Sequence, residues 1–197
     1  MPTSNRIILT DVDGVLLQWE KHFSKWMSMR GFELQPDYEK TYSMEERYGI
    51  KKVLKENLIE EFNRSAWMGI QEPMPNSQTW VKLLHAEGWT FIPITSQTMD
   101  IPAQELRKRR LKDLFGGTVF ENFIILKTGD HKDSALAEFH GTGLWWIEDK
   151  WTNAKKGLEY GLKPILYSHS YNEEFYDKNI TRVNNWSEIH KLVTERT

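Results

Sequence analysis

The sequence predicts an α/β fold, a parallel sheet with helices on both faces and a small helical unit inserted after the first strand. Three observations carry this. Short, near-continuous apolar runs recur along the chain, stretches with helical character separate them, and one connection is far longer than a single crossover helix needs.

In chain order the runs are RIILT, WTFIPIT, NFIIL, LWWIE and KPILY, which suit strands buried on both faces. Helices are expected from Asn76 to Glu87, Asp100 to Phe115, Asp133 to Phe139 and Thr152 to Tyr160, with Gly88, Gly116, Gly141 and Gly161 as their stops. Strand alternating with helix implies parallel pairing through crossovers. Between Val15 and the strand near Thr90, Lys21 to Arg30 and Lys51 to Arg64 form two further amphipathic helices. Residues 19–74 are therefore read as an inserted cap, with the two-proline stretch QEPMPNS as the return hinge. Residues 1–18 and 75–197 make the core. No internal repeat is present.

The 197 residues suffice for one substantial core and an accessory unit, and 39% hydrophobic content with 13% aromatics excludes a disordered chain. Charge is balanced, 26 basic against 28 acidic residues, so nothing global attracts a nucleic-acid polymer or an anionic membrane. Small partners are expected. Without cysteine there is no disulfide, thiolate nucleophile or Cys-ligated zinc. The N-terminus lacks a secretory pattern and no apolar window reaches membrane length, so a cytoplasmic protein is the expectation.

Chemistry enters at Ile7-Ile8-Leu9-Thr10-Asp11-Val12-Asp13-Gly14, where an apolar strand ends in two carboxylates one residue apart and a glycine turns the chain away. A carboxylate fixed at a strand end can attack phosphorus, and a neighbour on the same face can manage the leaving group's proton. At the second strand's end, Thr95 and Ser96 offer hydroxyls and backbone N–H groups to a phosphate, although a Ser/Thr turn would look alike. KTGDHKDSAL then brings Lys132 to a helix start, with Lys127 a nearer alternative cation. Finally WWIEDK ends a strand in Glu148 and Asp149, which can meet Asp11 and Asp13 across a hard cation such as Mg2+ or merely cap the next helix.

These motifs, in this order on a parallel sheet, resemble the haloacid dehalogenase (HAD) superfamily, whose Rossmann-like core carries such an inserted cap. The second aspartate, Asp13, fits a phosphatase or phosphotransferase. DVDGVLLQWEKHFSKW, IQEPMPNSQTWVKLL, ITSQT, FENFIILK, WIEDK and RVNNWSEIHKLV are similar to the 5'(3')-deoxyribonucleotidases. The resemblance implies an Mg2+-dependent nucleotidase of nucleotide metabolism acting on deoxynucleoside monophosphates through an aspartyl-phosphate. It makes Asp11 the nucleophile, Asp13 the acid and base, Thr95 and Ser96 the phosphate clamp, Lys132 the cation and Asp149 a metal ligand, with the backbone carbonyl at Asp13 also on the metal. Glu148 replaces the family's usual aspartate, and its longer side chain suits a water-mediated or supporting role. A sugar phosphate is the alternative substrate, and a nonhydrolytic binding protein the alternative class. A homodimer is left open.

Trp67 stands where such enzymes hold the base and can stack on one, or can pack the cap core. Arg107-Lys108-Arg109-Arg110 reads as a solvated helix face, no histidine spacing suggests a metal site, and Trp145 and Trp146 should pack a central strand.

Overall fold

The computed structural model describes residues 6–195. Six parallel strands, β1 (Ile7–Thr10), β2 (Thr90–Ser96), β3 (Ile124–Leu126), β4 (Trp145–Glu148), β5 (Lys163–Tyr167) and β6 (Thr181–Val183), form one sheet in the order β3-β2-β1-β4-β5-β6. This is the parallel α/β sheet that the sequence predicts. The five apolar runs are β1 to β5. The sixth strand lies in TRV, three residues too short for a periodicity to register, and it pairs with β5 at the sheet's edge.

Alternate residues of each strand serve opposite faces, and both faces are covered. Ile8, Phe91, Trp145 and Ile147 pack against Val81 and Leu84 of α4 (Ser77–Ala86), Leu111 of α5 (Ile101–Phe115) and Trp186 and Ile189 of α8 (Trp186–Glu195). Leu9, Ile92, Ile94 and Trp146 face the other way, against Ala135 and Leu136 of α6 (Asp133–Ala137). On that face Trp146 lies so close to α7 (Trp151–Glu159) that a Cβ on Gly157 would come within 2.4 Å of the indole. Pro93, inside a central strand, leaves no ladder donor wanting. Phe91 and Gln97 send their N–H groups toward the β3 side, to Val119 and Leu126, so residue 93 faces that side too, at the break between the Phe91–Phe120 bridge and β3.

Between β1 and β2 lie α1 (Trp19–Ser28), α2 (Met44–Tyr48), α3 (Lys52–Asn63) and 3₁₀ turns at Tyr38–Lys40 and Ala66–Gly69. Phe23, Trp26, Met27, Tyr48, Leu58, Phe62 and Met68 pack together with Ala103 of α5, an apolar centre apart from those beside the sheet. The outgoing and returning chains run side by side. Gln18 N–H donates to the Glu72 carbonyl at 2.9 Å, Met74 N–H donates to Leu16 at 2.8 Å, and Leu17 bridges Pro73. Among the described residues no helix is long and apolar enough to cross a membrane.

Candidate active site

Strand order reverses direction around β1, so its C-terminal end opens into the crevice where such sheets take ligands. Asp11 follows β1 directly, its N–H held by Ile147 of β4 at 2.8 Å. Its Oδ1 accepts from Val12 N–H at 2.6 Å, and Lys132 Nζ stands 2.6 Å from Oδ2. Lys132 precedes α6 and is 4% exposed, whereas Lys127 is exposed; of the two cations, Lys132 is the one brought to the carboxylates.

Glu148 and Asp149 leave the end of β4. Glu148 is fully buried, and every direction of its carboxylate is used: Oε2 accepts from Lys132 Nζ at 2.9 Å and Asn153 Nδ2 at 3.1 Å, Oε1 from the Asp149 and Lys150 N–H groups. Asp149 takes a side-chain hydrogen bond from the Tyr171 hydroxyl. Gly14 permits this closeness, since at φ +78° a Cβ there would sit 2.6 Å from Asp149 Oδ2.

Oxygens of Asp11, Glu148 and Asp149 lie within 4.8 Å of one another, all three residues buried. Burial, then the negative charge of Glu148, raises the Asp11 carboxyl well above the ordinary range; Lys132 opposes this. Burial, then Glu148 and Asp11, likewise raises Asp149. Burial would raise Glu148 too, but Lys132 and the surrounding donors bring it down to about 2. Lys132 itself is raised by Asp11 and Glu148 against the opposing effect of burial. One lysine cannot neutralise three carboxylates, and the donor set is all hard oxygen. A hard divalent cation such as Mg2+ fits.

Thr95, at the end of β2, is 2% exposed, and its Oγ1 has no hydrogen-bond partner among the described residues. A buried hydroxyl without a partner is rare and suits a ligand oxygen. The Ser96 hydroxyl donates to the Asp130 carbonyl at 2.9 Å, holding the loop before Lys132. Asp13 leaves the strand line and bonds through Oδ1 to Arg107 Nη1 at 2.5 Å. Burial raises the Asp13 carboxyl, with Arg107 pulling the other way. Trp67 is half-buried in the segment between β1 and β2, its ring 6.2 Å from that of Phe62 and 6.1 Å from that of His22.

Arg107 corrects the expectation of a solvated basic face, for it is fully buried. Arg110 also turns inward, donating to the Gln71 carbonyl at 2.7 Å. Arg107 stands four residues after Ala103 and four before Leu111, both buried, and that spacing was the available signal. Tyr42 and Tyr171 gave none. Their rings meet at 5.3 Å, and burial followed by the Asp149 charge raises the Tyr171 hydroxyl well above the usual tyrosine range. His169, stacked on Tyr171 at 4.9 Å, bonds to the Gly14 carbonyl at 2.8 Å through Nε2 and fixes the turn behind the two aspartates.

No protein-family model matches the chain. It is 24% identical to an uncharacterised 32.4 kDa protein of the Gp30-rIII intergenic region of Enterobacteria phage T4, over 92% of this chain and 67% of that one. Among solved structures, the D,D-heptose 1,7-bisphosphate phosphatase of B. bronchiseptica, complexed with magnesium and phosphate, aligns with a TM-score of 0.59 at 12% identity, covering 98% of this chain and 99% of that one. A haloacid dehalogenase-like hydrolase of Streptococcus pneumoniae gives 0.65 at 13% identity over 96% and 98%. CbbY of Rhodobacter sphaeroides, in complex with phosphate, gives 0.60 at 16% over 94% and 96%. These likenesses establish the HAD-like fold.

Proposed function

We propose that this chain is an Mg2+-dependent phosphomonoesterase that works through an aspartyl-phosphate, with a deoxynucleoside monophosphate as substrate and residues 19–74 as its cap. The observation that carries the reading is the buried Asp11 carboxylate. It stands 2.6 Å from Lys132, within 4.8 Å of Asp149 and Glu148, and at the strand edge that also bears the unpartnered Thr95 hydroxyl.

Asp11, Asp149 and the backbone carbonyl of Asp13 would hold the metal, with Glu148 fixing Lys132 behind them. When bound, Mg2+ supplies the positive charge that lets an anionic phosphate approach a carboxylate. An Asp11 oxygen attacks phosphorus in line and the ester P–O bond breaks, the departing oxygen taking a proton from Asp13. Asp13, now a base, removes a proton from water as that water attacks the phosphorus. Phosphate leaves and Asp11 is restored. Thr95 donates to a phosphoryl oxygen throughout, and Lys132 offsets charge on Asp11 and the phosphate. The cap excludes bulk water, and Trp67 offers a ring face to the base.

A sugar phosphate is the second reading. Trp67 packs against Phe62, which favours a structural ring, and solved relatives of the fold include a heptose bisphosphate phosphatase and a CbbY complex with xylulose-1,5-bisphosphate. Phosphate release from p-nitrophenyl phosphate with and without Mg2+ tests the enzyme class. A panel of deoxynucleoside monophosphates and sugar phosphates then ranks the substrates by kcat/KM, and no metal-dependent release from any ester would overturn the reading.

A further inference from the structure

Arg107 is the one fully buried side chain of the basic run on α5, and it comes from the core rather than the insert. Its guanidinium reaches two places. Nη1 donates to Asp13 Oδ1 at 2.5 Å, and Nη2 points to Met68 Sδ at 3.0 Å, in the 3₁₀ turn Ala66–Gly69 of the insert. Nε, also buried, has no hydrogen-bond partner among the described residues. A buried arginine serving stability alone would be expected to engage both carboxylate oxygens in a fork and leave no donor empty. Here the grip is one-sided, and Asp13 Oδ2 is bonded to neither Nη1 nor Nη2.

That asymmetry suits a residue that must hold a carboxyl still while one of its oxygens gives and takes a proton. An arginine is fitted to this, because its guanidinium stays protonated in proteins and cannot compete for the transferred proton. The two aspartates thus have separate cations, Lys132 on Asp11 and Arg107 on Asp13. The thioether contact fixes the other arm of the guanidinium to the insert, so a seated 66–69 turn also sets the angle at which Nη1 meets Asp13.

We propose that Arg107 is the positioning residue of Asp13, clamping Oδ1 and tying the acid to the turn at Met68 so that Oδ2 faces the leaving oxygen. This rests on the phosphatase reading.

The test compares kcat/KM, which reports formation of the aspartyl-phosphate, for an alkyl phosphate and for 2,4-dinitrophenyl phosphate, whose departing phenolate needs no proton. Arg107→Gln should lower the alkyl value by about 100-fold, the lower end of what general acid catalysis supplies, and leave the dinitrophenyl value within about threefold. Arg107→Lys, which keeps a cation but not the fork, should show the same selectivity with a smaller loss. In an Asp13→Asn background Arg107→Gln should cost nothing further on the alkyl ester, because the group it positions is gone. Equal losses on both esters in either variant, or a full additional loss in the double variant, would overturn the proposal while leaving the phosphatase reading intact. Wild-type protein that hydrolyses neither ester with Mg2+ would instead remove the reading itself. Thermal melting accompanies each variant, and if Arg107→Gln does not fold, the lysine variant alone decides.

Discussion

Lys132 Nζ donates to Glu148 Oε2 at 2.9 Å while standing 2.6 Å from Asp11 Oδ2, so the acid at the end of β4 aims the cation that serves the acid at the end of β1. Both oxygens of the Glu148 carboxylate are occupied, whereas among the described residues the Asp149 carboxylate accepts one side-chain hydrogen bond, from Tyr171. Asp149→Asn should therefore raise the Mg2+ concentration for half-maximal activity more than Glu148→Gln does. The glutamine variant should lose about 10- to 100-fold in activity, as supporting partners of metal sites do. Titration of activity against Mg2+ in both proteins checks the ranking, and a larger shift for Glu148→Gln would move the ligand role to that residue.

Asp11→Asn should abolish turnover, by roughly 10⁴-fold or more on the scale of nucleophile removal in other covalent enzymes, without harming the fold. The amide keeps the shape and removes one of the crowded negative charges that raise Asp11 and Asp149. In metal-free buffer the variant should melt at or above the wild-type temperature and gain less from added Mg2+. A clear drop in melting temperature would show that Asp11 is held mainly for structure.

Stability of the metal-free protein should depend on pH in a direction fixed by those same shifts. Asp11 and Asp149 have folded pKa values above the ordinary 3.8, so between 3.8 and their raised values the folded state binds protons that the unfolded chain has released. Their contribution therefore falls as pH rises through that window. Glu148 acts the other way. Its stabilisation is complete above 4.5 and is lost as pH falls through about 2. Mg2+ displaces the retained protons, so the melting-temperature gain on adding it should be larger near pH 7.5 than near pH 5, at about equal ionic strength. A gain independent of pH would place the metal away from Asp11 and Asp149.

Most of the sheet was legible because strands buried on both faces announce themselves as apolar runs, as RIILT and LWWIE do. The DxDG turn, Thr95 and the WIEDK strand end were legible because their positions follow from strand ends alone. What stayed hidden depends on contacts between distant segments. The spacing of Arg107 with Ala103 and Leu111 marks it as inward-facing, but its partner Asp13, 94 residues away in sequence, emerges only when α5 is set against the end of β1. Tyr171 meets Asp149 only after the chain passes through β5, and Ser96 resembles Thr95 until the Asp130 loop takes its hydroxyl.

Trp67 bears on the substrate. Its ring contacts Phe62 and His22, and Lys25 Nζ lies 6.0 Å from its centre, yet it is only half-buried, which leaves part of the residue exposed as a candidate stacking face. If that face stacks on a base, Trp67→Ala should lose about 1–3 kcal/mol of binding to a deoxynucleoside monophosphate, the range for base-aromatic stacking. p-Nitrophenyl phosphate, which has no base, should be affected far less. The ratio of kcat/KM for the two substrates isolates the effect from any general weakening of the cap, with circular dichroism and thermal melting as folding controls. Proportional losses on both would make Trp67 a packing residue of the insert and shift the substrate reading to a sugar phosphate, for which the cap needs no aromatic face.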